Sequence, residues 1–177
     1  MFVINFLCIF DSNHIVDDDL KYFTGVHTIN LGGCKKITDA GVAYLKSIHT
    51  ITLHGCYKIT DAGVAHLKGV HTIDLSYCYK ITDADVAHLK GVHTINLFEC
   101  NQITDVGLCY LQGVKFIALY DCNKITDVGL SYLKDVLYID LSRCHKITDV
   151  GLAGCSKITN IGLSYLKNVL YLILAKN

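Results

Sequence analysis

Two apolar periods alternate along this chain. In VHTINL at 26–31, Ile29 and Leu31 alternate with polar residues after Val26, as on one face of a strand, whereas Val42 and Leu45, three apart after Asp39, share one face of a helix. The pair of patterns then recurs. VHTINLGGCKKITDAGVAYLK is followed by IHTITLHGCYKITDAGVAHLK and VHTIDLSYCYKITDADVAHLK, and Cys34, Cys56, Cys78, Cys100, Cys122 and Cys144 each lie 22 residues apart. A fixed step of this size predicts a solenoid whose unit is a strand, a turn and a short helix on the convex side.

Helix starts are marked by Thr38 and Asp39, whose oxygens can accept from the free N–H groups of a first turn, and Lys46 falls near the negative end of the helix. The Thr-Asp pair returns at 60 and 61, 82 and 83, 104 and 105, 126 and 127, and 148 and 149, and becomes Thr159 and Asn160 at the last copy. One step back from Cys34 is Ser12, which puts Leu7, Ile9, Asp17 and Leu20 on framework positions. Residues 1–25 therefore read as a degenerate first repeat rather than a signal peptide, since no positive flank or small-residue cleavage site accompanies the apolar start. Residues 26–135 read as five regular repeats. Residues 136–177 read as an oversized coil with a terminal strand, because Cys155 follows Cys144 by only 11 residues. Eight parallel strands are expected, near 4–9, 26–31, 48–53, 70–75, 92–97, 114–119, 136–141 and 169–174, all in one domain.

The words LxxLxLxxC and xxITDxxLxxL resemble the cysteine-containing class of leucine-rich repeats, best known from the F-box/LRR substrate receptors of SCF-type ubiquitin ligases. The likeness covers essentially the whole chain. It implies an α/β fold, a right-handed leucine-rich-repeat solenoid or horseshoe with parallel strands on the concave face, and a concave face that engages protein substrates. Two departures stand out: the units are shorter than the roughly 26 residues usual for that class, and no F-box segment precedes the repeats. Ligase components would then be supplied in trans.

Composition narrows the partners. Sixteen basic and sixteen acidic residues give zero formal charge, so no basic field exists to draw nucleic acid or anionic lipid. No apolar run reaches the ~18 residues that span a bilayer. Nine cysteines without a CxxC pair or an N-x-S/T acceptor suit a reducing cytoplasm or nucleus.

Three features invite a chemical reading. The cysteine column stacks thiols at strand spacing, but no protease-like His/Asn pattern accompanies it, and small buried cysteines fill such turns. His27, His49, His71 and His93 form a second column, and His66 and His88 a third, yet duplication alone aligns them, and no HExxH or carboxylate partner completes a metal site. The Asp column reads as helix caps. Neither catalytic residues nor cofactor nor metal is expected.

Variation between repeats is the stronger signal. Three positions at and after the strand change freely: Asn30, Thr52, Asp74, Asn96, Ala118 and Asp140; Gly32, His54, Ser76, Phe98, Tyr120 and Ser142; and Gly33, Gly55, Tyr77, Glu99, Asp121 and Arg143. From the fourth repeat onward the exposed set becomes aromatic and charged. Tyr77, Phe98, Glu99, Phe116, Tyr120, Asp121, Tyr138 and Arg143 are accordingly the expected protein-binding surface, with a composition typical of interface hot spots. The expected function is non-enzymatic protein binding, directed to substrate recognition in a ubiquitin-ligase pathway. The competing reading is a structural solenoid that associates end to end through uncapped strands.

Overall fold

The computed structural model describes residues 5–148 and 160–162. Among the described residues eight strands form one parallel sheet in chain order: β1 (Phe6–Cys8), β2 (Thr28–Asn30), β3 (Thr50–Thr52), β4 (Thr72–Asp74), β5 (Thr94–Asn96), β6 (Phe116–Ala118), β7 (Tyr138–Asp140) and β8 (Asn160–Gly162). Register follows the sequence step, with Ile29 opposite Ile51, Ile51 opposite Ile73, and Ile117 opposite Ile139. The strands are shorter than the alternating pattern implies because each coil turns sharply after them. Hydrogen bonding nonetheless continues into the turn, where the Leu31 amide donates to Thr52 O at 2.8 Å and the Gly33 amide to His54 O at 2.7 Å.

Each coil contributes the same buried set, Ile29, Leu31, Cys34, Ile37, Val42 and Leu45 in the first regular repeat, and their equivalents stack into a continuous core. Burying an aliphatic side chain of this size contributes roughly 1.5–3 kcal/mol. No coil covers its own apolar face, so burial depends on the neighbouring coils. The cysteine column completes this core. The Cys56 thiol donates to Leu31 O at 3.2 Å, Cys78 to Leu53 O at 3.1 Å and Cys144 to Leu119 O at 2.9 Å, each reaching back to the preceding coil.

The convex side carries one-turn to two-turn helices: α1 (Asp39–Val42), α2 (Asp61–Val64), α3 (Asp83–Ala87), α4 (Asp105–Tyr110) and α5 (Asp127–Leu130). Thr38, Thr82, Thr104 and Thr126 cap α1, α3, α4 and α5 by accepting from the second helical amide. The aspartates do something else. Asp39 accepts from the Thr60 amide at 2.8 Å and the Thr60 hydroxyl at 2.6 Å, which ties one coil to the next. Asp17, Asp83, Asp105 and Asp127 hold Thr38, Thr104, Thr126 and Thr148 in the same way. The expectation that these carboxylates cap their own helices is thus corrected: they are inter-repeat ties.

Glycine makes the tie sterically feasible. A Cβ on Gly41, Gly63, Gly107 or Gly129 would overlap the carboxylate of Asp17, Asp39, Asp83 or Asp105 respectively. The fourth repeat carries Asp85 at this position. Its own carboxylate accepts from the Thr82 amide at 2.6 Å and hydroxyl at 2.9 Å, while Asp61 turns outward to His88 at 3.0 Å.

At the N-terminal side, β1 pairs with β2 and Asp17 ties to Thr38. At the other end β8 keeps the 22-residue step, with Ile161 opposite Ile139, in a stretch where the sequence pattern pointed to an extended coil. Registry with the preceding strand governs this placement; the strand expected at 169–174 lies outside the described residues.

Candidate functional site

Strand alternation turns Thr28, Thr50, Thr72 and Thr94 outward, then Phe116 and Tyr138 at the same register. Phe6 holds the same register on β1, so from β2 onward the exposed sheet face changes from hydroxyl to aromatic at β6, where Phe116 is 39% exposed.

The three variable columns have different roles. In the first, Asn30 Oδ1 accepts from the Gly32 amide, Asp74 from Ser76, Asn96 from Phe98 and Asp140 from Ser142, at 2.9–3.0 Å. These side chains close the turn after the strand and are committed to the fold. The second column is mixed: Gly32, Ser76 and Ser142 are buried, whereas His54, Phe98 and Tyr120 are half-buried with their rings at the rim.

The third column has one backbone conformation throughout. Gly33 and Gly55 have φ of +74° and +65°, and Tyr77, Glu99, Asp121 and Arg143 follow at +59°, +58°, +58° and +62°. Left-handed backbone costs an L-residue with a Cβ roughly 1–2 kcal/mol. The sequence change from glycine to Tyr, Glu, Asp and Arg therefore places strained residues together along one rim, and strain of this kind clusters at binding sites.

Rings join these columns into a ladder. His54 meets Tyr77 edge-on at 5.0 Å, Tyr77 meets Phe98 at 5.0 Å, and Phe98 stacks parallel on Tyr120 at 4.1 Å. The Arg143 guanidinium lies 5.3 Å from the Tyr120 centroid and closes the row as a cation–π contact. Of the expected surface residues, Tyr77, Phe98, Tyr120 and Arg143 are thus in one continuous row, and Glu99 and Asp121 share the third column with Tyr77 and Arg143. Phe116 and Tyr138 lie apart on the open sheet, where Phe116 touches His93 at 5.4 Å. Asp121 receives a 2.8 Å bond from the Asn123 amide group.

The sequence reading omitted His54, Tyr57 and Tyr79 from the surface. Tyr57 and Tyr79 stack at 6.0 Å, and Tyr79 meets Tyr77 edge-on at 6.3 Å, extending the aromatic patch around the rim. Their signal was present in the repeated CYKITD word, but identity between two copies made them resemble framework.

A second ladder runs along the other edge of the sheet. His27, His49, His71 and His93 stack with centroids 4.4, 4.6 and 4.5 Å apart, each Nδ1 lying 3.2 Å from the hydroxyl of the following Thr. Face-to-face rings do not converge their nitrogens, and no group of three or more His, Cys, Asp or Glu among the described residues is arranged to hold a metal. Desolvation first, and then the flanking His27 and His71, hold His49 below the usual imidazole range. Burial likewise pushes the Cys56, Cys78 and Cys144 thiols up to about 12, which removes the thiolate that reactivity needs. No helix among the described residues is long and apolar enough to cross a membrane.

A parallel sheet with buried Leu, Ile and Cys at fixed repeat positions defines a leucine-rich-repeat solenoid. The leucine-rich-repeat family pattern matches residues 26–46 and 135–154. No curated protein sequence matches the chain. Among solved structures, internalin C2 from Listeria monocytogenes superposes with a TM-score of 0.68 at 22% identity, over 96% of this chain and 77% of that one. The yeast Rad7–Elc1 complex gives a TM-score of 0.67 at 15% identity over 84% of this chain, and the TLR13–ssRNA13 complex 0.70 at 14% over 91%. This chain spans 44% of the matched chain in the yeast complex and 25% of that in the TLR13 complex.

Proposed function

We propose that this solenoid is a non-enzymatic interaction module that captures a protein partner on the concave face and the rim from Tyr77 to Arg143. The observation that carries the reading is the Phe98–Tyr120 stack, set beside a non-glycine residue in left-handed backbone in each of four successive coils. A solenoid's inner curve offers an extended surface, and half-buried rim aromatics flanked by Arg are the residue types on which binding energy concentrates.

The finer reading is substrate recognition in an SCF-type ubiquitin-ligase pathway, with the ligase components contributed by other chains. The cysteine-containing repeat words support it, as does the likeness to a solenoid found in a complex of Rad7 with Elc1. Free thiols throughout the described residues suit a reducing compartment, cytoplasmic or nuclear.

Affinity capture with mass spectrometry, run in parallel on the wild-type chain and on a Phe98→Ala/Tyr120→Ala double variant, tests both levels. A partner retained by the first and lost by the second supports the rim as the site, and cullin or Skp1-like components among the retained proteins support the pathway. Equal capture by both chains places the site elsewhere. Concentration-dependent sedimentation without a retained partner would favour the self-associating solenoid.

A further inference from the structure

We propose that Tyr77, Tyr79 and Glu99 form a subsite for the guanidinium of an arginine side chain on the partner protein. This deepens the binding reading above and rests on it.

Tyr77 and Glu99 occupy the same place in successive coils. Each has left-handed backbone, and each amide donates at 2.9 Å to the next coil, to Phe98 O and Tyr120 O respectively. Their side chains therefore leave the rim side by side, about one ladder step of ~4.8 Å apart. Tyr79, half exposed, stands edge-on to Tyr77 at 6.3 Å, so two phenol rings set nearly at right angles, 86° between planes, make a corner one coil before Glu99. The Glu99 backbone carbonyl receives the Asn101 amide at 3.0 Å, but its carboxylate has no hydrogen-bond donor and no cation against it among the described residues, unlike Asp74, Asp121 and Asp140, whose carboxylates are occupied by Ser76, Asn123 and Ser142.

The electrostatics agree. Desolvation first, and then the negative charge of Glu99, raise the phenol pKa of both Tyr77 and Tyr79, so the carboxylate is near enough to act on both side chains. A planar cation between ring faces and a carboxylate gains cation–π attraction and a charge-assisted hydrogen bond together. The protein shows the first half of this contact within its own chain, where Arg143 lies over Tyr120 two coils further on. Asp74, Glu99, Asp121 and Asp140 outnumber Arg143 and give this stretch of rim and sheet a negative balance, which is complementary to a basic segment. Arginine fits better than lysine because its flat, weakly hydrated head can stack on a ring while donating edge-on.

The test is a titration of the full chain, labelled with 13C at tyrosine, with the peptide Ac-Gly-Arg-Gly-NH2 and with its neutral citrulline counterpart. The arginine peptide is expected to shift the Tyr77 and Tyr79 ring resonances saturably and the citrulline peptide to leave them in place. Glu99→Gln should weaken binding at least five-fold with an unchanged amide spectrum, and Tyr79→Leu should weaken it without altering charge. Equal shifts with citrulline, shifts confined to other tyrosines, or unaltered affinity in Glu99→Gln overturn the assignment. The titration needs no partner, so it is separable from the capture experiment. A null titration beside capture that depends on Phe98 and Tyr120 retires the arginine subsite alone, and the converse result retires the ladder as the capture site alone.

Discussion

Asp85 takes from Asp61 the threonine that every other described tie of this type would assign to the preceding coil. Its carboxylate receives the Thr82 amide at 2.6 Å and hydroxyl at 2.9 Å, and Asp61 is left on the surface with His88. The exchange has a steric cause. At the equivalent positions only glycine leaves room for the incoming carboxylate.

Asp85→Gly should therefore stabilise the protein. Asp85 is 1% exposed and its second oxygen, Oδ1, has no hydrogen-bond partner, a defect worth roughly 1–3 kcal/mol. Glycine lowers helix propensity by about 0.5 kcal/mol relative to aspartate, so the expected net gain is about 1 kcal/mol. Desolvation raises the folded-state pKa of Asp85 above its unfolded value, outweighing the bonds from Thr82 that lower it. A raised carboxylate pKa means that ionisation at neutral pH opposes folding, and that this opposition fades as pH falls through the folded value. Urea denaturation should show the variant's advantage at pH 7 and a smaller one at pH 4. A variant less stable than wild type at pH 7 would contradict the exchange.

His49 should titrate below its reference value of 6.5, because desolvation and its two stacked neighbours disfavour the imidazolium. The unfolded chain then binds the proton more readily than the folded one, so this contribution to stability is present above about pH 6.5 and is lost as pH falls through the folded pKa. NMR titration of the imidazole Cε1–H reads the midpoint directly. His49→Phe should flatten the decline in Tm between pH 7 and pH 5; an equally steep decline would assign the acid sensitivity to other groups.

The cysteine column should be silent toward thiol reagents in the native state. Cys56, Cys78 and Cys144 are buried with pKa values near 12, whereas Cys8 is exposed. Peptide mapping after brief treatment with a disulfide reagent at pH 8 should find Cys8 modified and these three unmodified until urea is added. Native labelling of the three at the rate of Cys8 would show that the column opens.

Glu99→Gly should raise stability while removing the proposed arginine contact. The residue has φ of +58°, a conformation that costs a side-chain-bearing residue roughly 1–2 kcal/mol and glycine almost nothing. Part of that relief is offset by the greater freedom of glycine in the unfolded chain, leaving an expected gain of about 0.5 kcal/mol by equilibrium denaturation. A loss of stability would mean that Glu99 makes contacts that outweigh its strain.

Sequence alone determined the solenoid, the register from β1 to β7 and the buried set, because a 22-residue repeat allows a parallel ladder only if Ile29, Ile51 and Ile73 fall opposite one another. It also identified the variable columns and most of the aromatic rim. It could not separate the three columns, since a turn-closing asparagine, a buried serine and a strained tyrosine all read as exposed variation until backbone torsions are known. The carboxylate ties were equally hidden. A Thr-Asp pair is a valid cap for its own helix, and only the stacking of coils brings Asp39 to Thr60 rather than to the amides beside it. Local pattern records which residues recur; which coil each side chain serves is set by the close approach of neighbouring coils, and that approach exists only in three dimensions.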